Sequence, residues 1–149
     1  MSIIALLKVK GRFVPSISSG LTVADAIDKL DFDQAGALVV MNANDEIEGI
    51  ITERDIARGL KKYGRDVVDM PIREIMTAKV PTCELSESVE AVLRLMDEQQ
   101  VEHVPIVNSG RLYGIINMLD LVKYRLSQID AEAAALKAYV AGVPSAGTA

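Results

Sequence analysis

An internal repeat sets the tightest limit on what this chain can fold into. Residues 21–60, LTVADAIDKLDFDQAGALVVMNANDEIEGIITERDIARGL, align with residues 87–126, ESVEAVLRLMDEQQVEHVPIVNSGRLYGIINMLDLVKYRL. Thr22-Val23 matches Ser88-Val89, Val39-Val40 matches Ile106-Val107, Gly49-Ile50-Ile51 matches Gly114-Ile115-Ile116, and Asp55 matches Asp120. Neither copy is large enough to bury its own apolar faces well, so two copies must share a core.

Each copy reads as β-α-β-β-α. A short strand (residues 13–17; 80–83) precedes a helix capped by Thr22 in the first copy and by Ser86 or Ser88 in the second. Apolar strands follow, ALVVM and HVPIV, continuous in the manner of strands covered on both faces. Turns of Asn, Asp, Ser and Gly lead to IEGII and LYGII, and a second helix closes each unit. The expected fold is α/β (α+β): two repeats packed sheet to sheet about a pseudo-two-fold axis, with a long C-terminal helix. The expected boundaries are a lead-in helix over 1–12, repeat one over 13–64, a linker helix over 65–79, repeat two over 80–128, and a helix extension with a flexible tail over 129–149. In the lead-in helix Ile3, Ile4, Leu6 and Leu7 lie on or near the buried side.

Composition narrows the function. Half of the 149 residues are apolar and Trp is absent, so the core is aliphatic. A net charge of −5 disfavours general nucleic-acid binding. The lone Cys83 permits no intrachain disulfide and fits a reducing, cytoplasmic setting; it reads as a buried small hydrophobe. No apolar run approaches the roughly 20 residues of a membrane span. His103 is the only histidine, which leaves no set of metal ligands. No P-loop, GxGxxG, GxSxG or HExxH occurs, and no nucleophile stands with a base and an orienting partner, so no enzyme is expected.

Thr52 and Asp55, and their counterparts Asn117 and Asp120, stand three apart after an apolar run. That is the spacing of a capping box, in which the first side chain accepts from the N3 amide and the third reaches back. The same atoms suit a nucleotide. A helix N-terminus offers free N–H groups and a positive dipole end to phosphate, and a carboxylate accepts from a ribose diol. The two readings are compatible. Arg54 lies beside the phosphate position, or is a solvated first-turn side chain.

The paired motifs GIITxxD and GIINxxD, with IREIMT between them and VEHVPIV before the second, resemble a tandem cystathionine-β-synthase (CBS) domain pair over roughly residues 8–128, most like small stand-alone bacterial and archaeal members. The resemblance implies a disc with clefts between the two sheets that take AMP, ADP, ATP, NAD(H) or S-adenosylmethionine, a homodimer, and regulation of an enzyme or transporter in trans. It places Thr52 at phosphate, Asp55 and Asp120 at ribose, His103 where a basic residue faces phosphate, and Thr77 and Val80 along the adenosine. The expected function is a non-catalytic module sensing adenosine-containing ligands; the alternative is a dimerising scaffold with empty clefts. Thr52 against Asn117 predicts unequal clefts, the first binding the phosphorylated ligand better.

One further pattern concerns assembly. Leu119, Val122, Leu126, Ile129, Ala133, Leu136 and Val140 alternate three and four apart, a heptad stripe that outruns the repeat and suits a second copy of the chain. The alternative partner for this stripe is the chain's own lead-in helix.

Overall fold

The computed structural model describes residues 2–142; most of the expected flexible tail falls on residues 143–149, outside that range. Five helices and seven strands follow in the order α1 (Ile3–Lys10), β1 (Ser16–Ser18), α2 (Val23–Asp33), β2 (Ala37–Met41), β3 (Ile47–Thr52), α3 (Glu53–Tyr63), β4 (Thr77–Ala78), β5 (Cys83–Glu84), α4 (Val89–Gln99), β6 (His103–Asn108), β7 (Arg111–Asn117) and α5 (Met118–Val140). The fold is mixed α and β, with two small sheets ordered β1-β2-β3-β4 and β5-β6-β7.

The repeat is plain in the register. In each sheet the first strand pairs parallel with the second, which forms an antiparallel hairpin with the third. Both hairpins carry a register shift just past the residue that faces the motif glycine, Val40 opposite Gly49 and Ile106 opposite Gly114, so Val40 and not Val39 is the structural counterpart of Ile106. Ser109 and Gly110 both have positive φ, 52° and 78°, which fits the tight two-residue turn joining β6 to β7.

Alternate residues of the apolar strands face two different layers. Leu38, Val40 and Ile51 pack under the helices of repeat one, and Val104, Ile106 and Ile116 under those of repeat two. Ala37, Val39, Ile50 and Ile115 meet between the sheets and form the shared core. Burial on both faces is what makes ALVVM, and HVPIV past His103, continuously apolar.

Several expectations shift. The first strand of each copy starts later, at Ser16 and Cys83 instead of 13 and 80, and Ser88 rather than Ser86 caps α4. Segment 65–79 is not an α-helix. It forms two 3-10 turns, Gly64–Asp69 and Ile72–Glu74, and then β4, which joins the edge of the first sheet. Pro71, which has no N–H to offer and disfavours an α conformation in the residue before it, separates the two turns. In α1, Ile3, Leu6 and Leu7 are buried, whereas Ile4 is 43% exposed.

The lead-in segments are exchanged between repeats. The linker precedes repeat two but packs on repeat one, where Pro71 bridges to Thr22. The N-terminal segment precedes repeat one but packs on repeat two, where Ser2 bridges to Ser88. A small residue makes room in each sheet: a Cβ on Gly49 would stand 3.1 Å from Met76 Sδ, and a Cβ on Gly114 would stand 3.0 Å from a Leu7 methyl.

Candidate functional site

The capping reading of Thr52 and Asp55 holds in full. The Asp55 amide donates to Thr52 Oγ1 at 3.1 Å, and the Thr52 amide donates to Asp55 Oδ2 at 3.0 Å. Asn117 and Asp120 form the same box on α5, at 2.8 and 2.9 Å. Each box satisfies orphan N–H groups at a helix start and fixes the carboxylate in place.

The boxes then diverge. Asp55 is buried, 4% exposed, and every acceptor position is used. Oδ2 also accepts from the Thr52 hydroxyl at 3.1 Å, while Oδ1 accepts from Thr77 Oγ1 at 3.0 Å and Arg58 Nη2 at 2.5 Å. An ionised carboxylate has about four lone-pair sites, so the set is filled. Asp120 instead pairs with Lys10, whose Nζ lies 2.5 Å from Oδ2 and donates to the Ile115 carbonyl at 2.6 Å.

Between the repeats lies a cleft of about 380 Å³, within the range of small-molecule sites, roughly 300–1,000 Å³. Thr52, Arg54 and Asp55 line it from the start of α3, Thr77 from β4, Val80 and Pro81 from the following loop, and His103 from the start of β6. Six of the eight candidate residues thus meet in one cavity. Asn117 does not line it, and Asp120 lines a separate hollow with Leu6, Val9, Lys10 and Tyr124. Ile50 and Val101 add apolar wall to the main cleft.

The electrostatics of the cleft are mixed. Arg54 is largely exposed, with Nη2 3.8 Å from Glu102 Oε1 across the mouth. Burial lowers the His103 pKa from its ordinary value; Glu102 opposes this, Lys10 adds to it, and Asp120 opposes it. The lowered pKa favours the neutral imidazole near pH 7. Cys83 is buried, and burial pushes its thiol up to about 12, with Glu87 adding to the shift. Among the described residues, no cluster of three or more His, Cys, Asp or Glu could hold a metal ion.

Two residues at these boxes escaped the sequence reading. Arg58 lies one helical turn beyond Asp55, a spacing that signals a contact. Lys10 lies 110 residues from Asp120 and carries no local signal at all.

Comparison with known proteins agrees with this architecture. The CBS domain family profile matches residues 11–62 and 72–127. A 17.7 kDa protein of Acidianus ambivalens is 33% identical over 108 residues, 72% of this chain and 64% of its own length, so the chain spans just under two thirds of that relative. The CBS domain-containing protein YhcV of Bacillus subtilis is 29% identical over 81% of this chain and 85% of its own. The crystal structure of a CBS-domain-containing protein from Agrobacterium tumefaciens superposes with a TM-score of 0.80 at 30% identity, over 84% of this chain and 99% of that one.

Proposed function

The chain belongs to the CBS domain family and carries the domain twice, and on that premise we propose that it is a non-catalytic sensor of adenosine-containing ligands such as AMP, ADP, ATP or NAD(H). One observation carries the reading: Thr52, Arg54, Asp55, Thr77, Val80 and His103, drawn from both repeats, line a single cleft that opens on the N-terminus of α3.

Each group has a part that its chemistry suits. The positive end of α3, Arg54 and His103 receive phosphate. Ile50, Val80 and Val101 supply the apolar walls for a base. Asp55 accepts from the ribose hydroxyls. Its acceptor sites are already full, so the ribose takes the place of Arg58, whose side chain is 66% exposed and free to swing. Arg58 then turns from the carboxylate to the phosphate. Ligand binding in this way changes the contact between α3 and the linker, a signal that a partner enzyme or transporter reads.

Self-association is the second part of the proposal. Leu119, Val122, Leu126, Ile129, Leu136 and Val140 are each at least 44% exposed along one face of α5. The lead-in helix does not cover them: α1 packs on the other face, against Leu121 and Tyr124. A second copy of the chain covers the exposed stripe. No helix among the described residues is long and apolar enough to cross a membrane.

The test is calorimetric titration with AMP, ATP, NADH and S-adenosylmethionine, with the ligand analysed afterwards. Saturable binding of a ligand recovered unchanged supports the sensor; no heat from any of them removes it and leaves the scaffold.

A further inference from the structure

The two motif aspartates occupy matching places and each carries a cation, but Asp55 pairs with Arg58 of its own helix, whose side chain is 66% exposed, whereas Asp120 pairs with Lys10 brought in from α1. The matching is close. Pro71 bridges to Thr22 as Ser2 bridges to Ser88, and Met76 covers Gly49 as Leu7 covers Gly114. Where the linker then passes Asp55 as strand β4, contributing only the Thr77 hydroxyl, α1 ends on Lys10.

Lys10 spans the ground between β7 and α5. Its ammonium donates to the Ile115 carbonyl and pairs with Asp120, and its side chain is 24% exposed. Ile50 and Asp55, the counterparts of Ile115 and Asp120, line the open cleft instead. Arg12 holds the chain beyond α1 against the same strand: its guanidinium sits 3.7 Å from the Tyr113 ring centroid and its Nε donates to the Tyr113 carbonyl at 3.4 Å. A ligand entering here must displace a cation that is 24% exposed and held by both a carboxylate and a strand carbonyl, whereas at Asp55 it displaces only the largely exposed Arg58 from the carboxylate.

We infer that Lys10 closes the second cleft from within the chain, so that each chain takes one adenosine-phosphate ligand, in the Asp55 cleft only. The inference rests on the ligand reading above and deepens it: Lys10, not Asn117 alone, sets the difference between the two halves.

Stoichiometry in calorimetric titration of AMP into the full chain is the test. Wild type takes one AMP per chain, and Lys10→Met, which keeps the apolar stem and removes the charge, takes two. In the double variant Lys10→Met/Asp55→Asn one site remains. Two sites in wild type, or one in Lys10→Met, would overturn the inference. A chain that binds none of AMP, ATP, NADH and S-adenosylmethionine defeats the ligand reading instead, and closure is then read without ligand. Under limited reductive methylation of wild type, Lys10 reacts more slowly than the exposed Lys8, and Asp120→Asn removes the difference. Equal rates at Lys8 and Lys10 in wild type contradict closure.

Discussion

Thr77 Oγ1 donates to Asp55 Oδ1 at 3.0 Å, joining the edge strand β4 to the first turn of α3. Asp55→Ala removes the shared acceptor of the half-buried Thr52 and of the exposed Thr77 and Arg58. The expected loss is about 2 kcal/mol, read as a lower urea midpoint with an unchanged slope. Thr52→Ala loses the cap and the hydroxyl's own bond to Asp55 but leaves the Thr77 and Arg58 bonds in place, a smaller loss of about 1 kcal/mol. An Asp55→Ala protein as stable as wild type would show that the network holds nothing together.

The two glycines under the lead-in segments differ in what faces them. A Cβ on Gly49 meets the Thr77 backbone carbonyl as well as Met76, and the backbone has no easy way to give. A Cβ on Gly114 meets only the tip of Leu7. Gly49→Ala therefore destabilises by about 1–3 kcal/mol, and Gly114→Ala by less. Thermal melts of the two variants check the order, and a larger loss at Gly114 would reverse it.

His103 gives stability a pH slope. Its pKa is lowered by burial in the folded chain, so the unfolded chain binds the proton more readily. Stability from the neutral imidazole is present above the unfolded value, about 6.5, and is lost as pH falls through the lower folded value. Urea midpoints should drop on going from pH 7.5 to pH 5, and His103→Gln should flatten that part of the curve. If His103 also faces phosphate, AMP binds more tightly at pH 6 than at pH 8, and more weakly as salt rises.

Assembly is tested by removing the extension. Full-length chain is expected to be a dimer by light scattering at micromolar concentration, and deletion of residues 127–149 to shift it towards monomer. A full-length monomer would end the proposal; a fully dimeric truncation would place the interface elsewhere.

What could be read in the sequence follows what is local or periodic. The hairpins, the caps at Thr22, Thr52, Ser88 and Asn117, and the buried strands were legible because turn residues, capping residues and unbroken apolar runs each act within a few positions. The linker differs from the expected helix because its conformation is set by non-local contacts, the burial of Ile72, Ile75 and Met76 against repeat one and the pairing of β4 with β3. Asp55 was legible as a cap and a candidate ligand, but the Thr77 and Arg58 bonds that fill its acceptor sites were not. Lys10 was invisible because its role depends on α1 crossing to the other repeat.

The central claim is that the cleft at Asp55 holds an adenosine phosphate. Calorimetric titration of AMP into wild type, Asp55→Asn and Asp120→Asn tests it most directly. The expected result is saturable heat with wild type and with Asp120→Asn, and an affinity for Asp55→Asn at least about tenfold weaker, as expected when a hydrogen bond to a charged group, roughly 1.5–3 kcal/mol, is lost. Undiminished binding by Asp55→Asn, or equal losses in both variants, would contradict it.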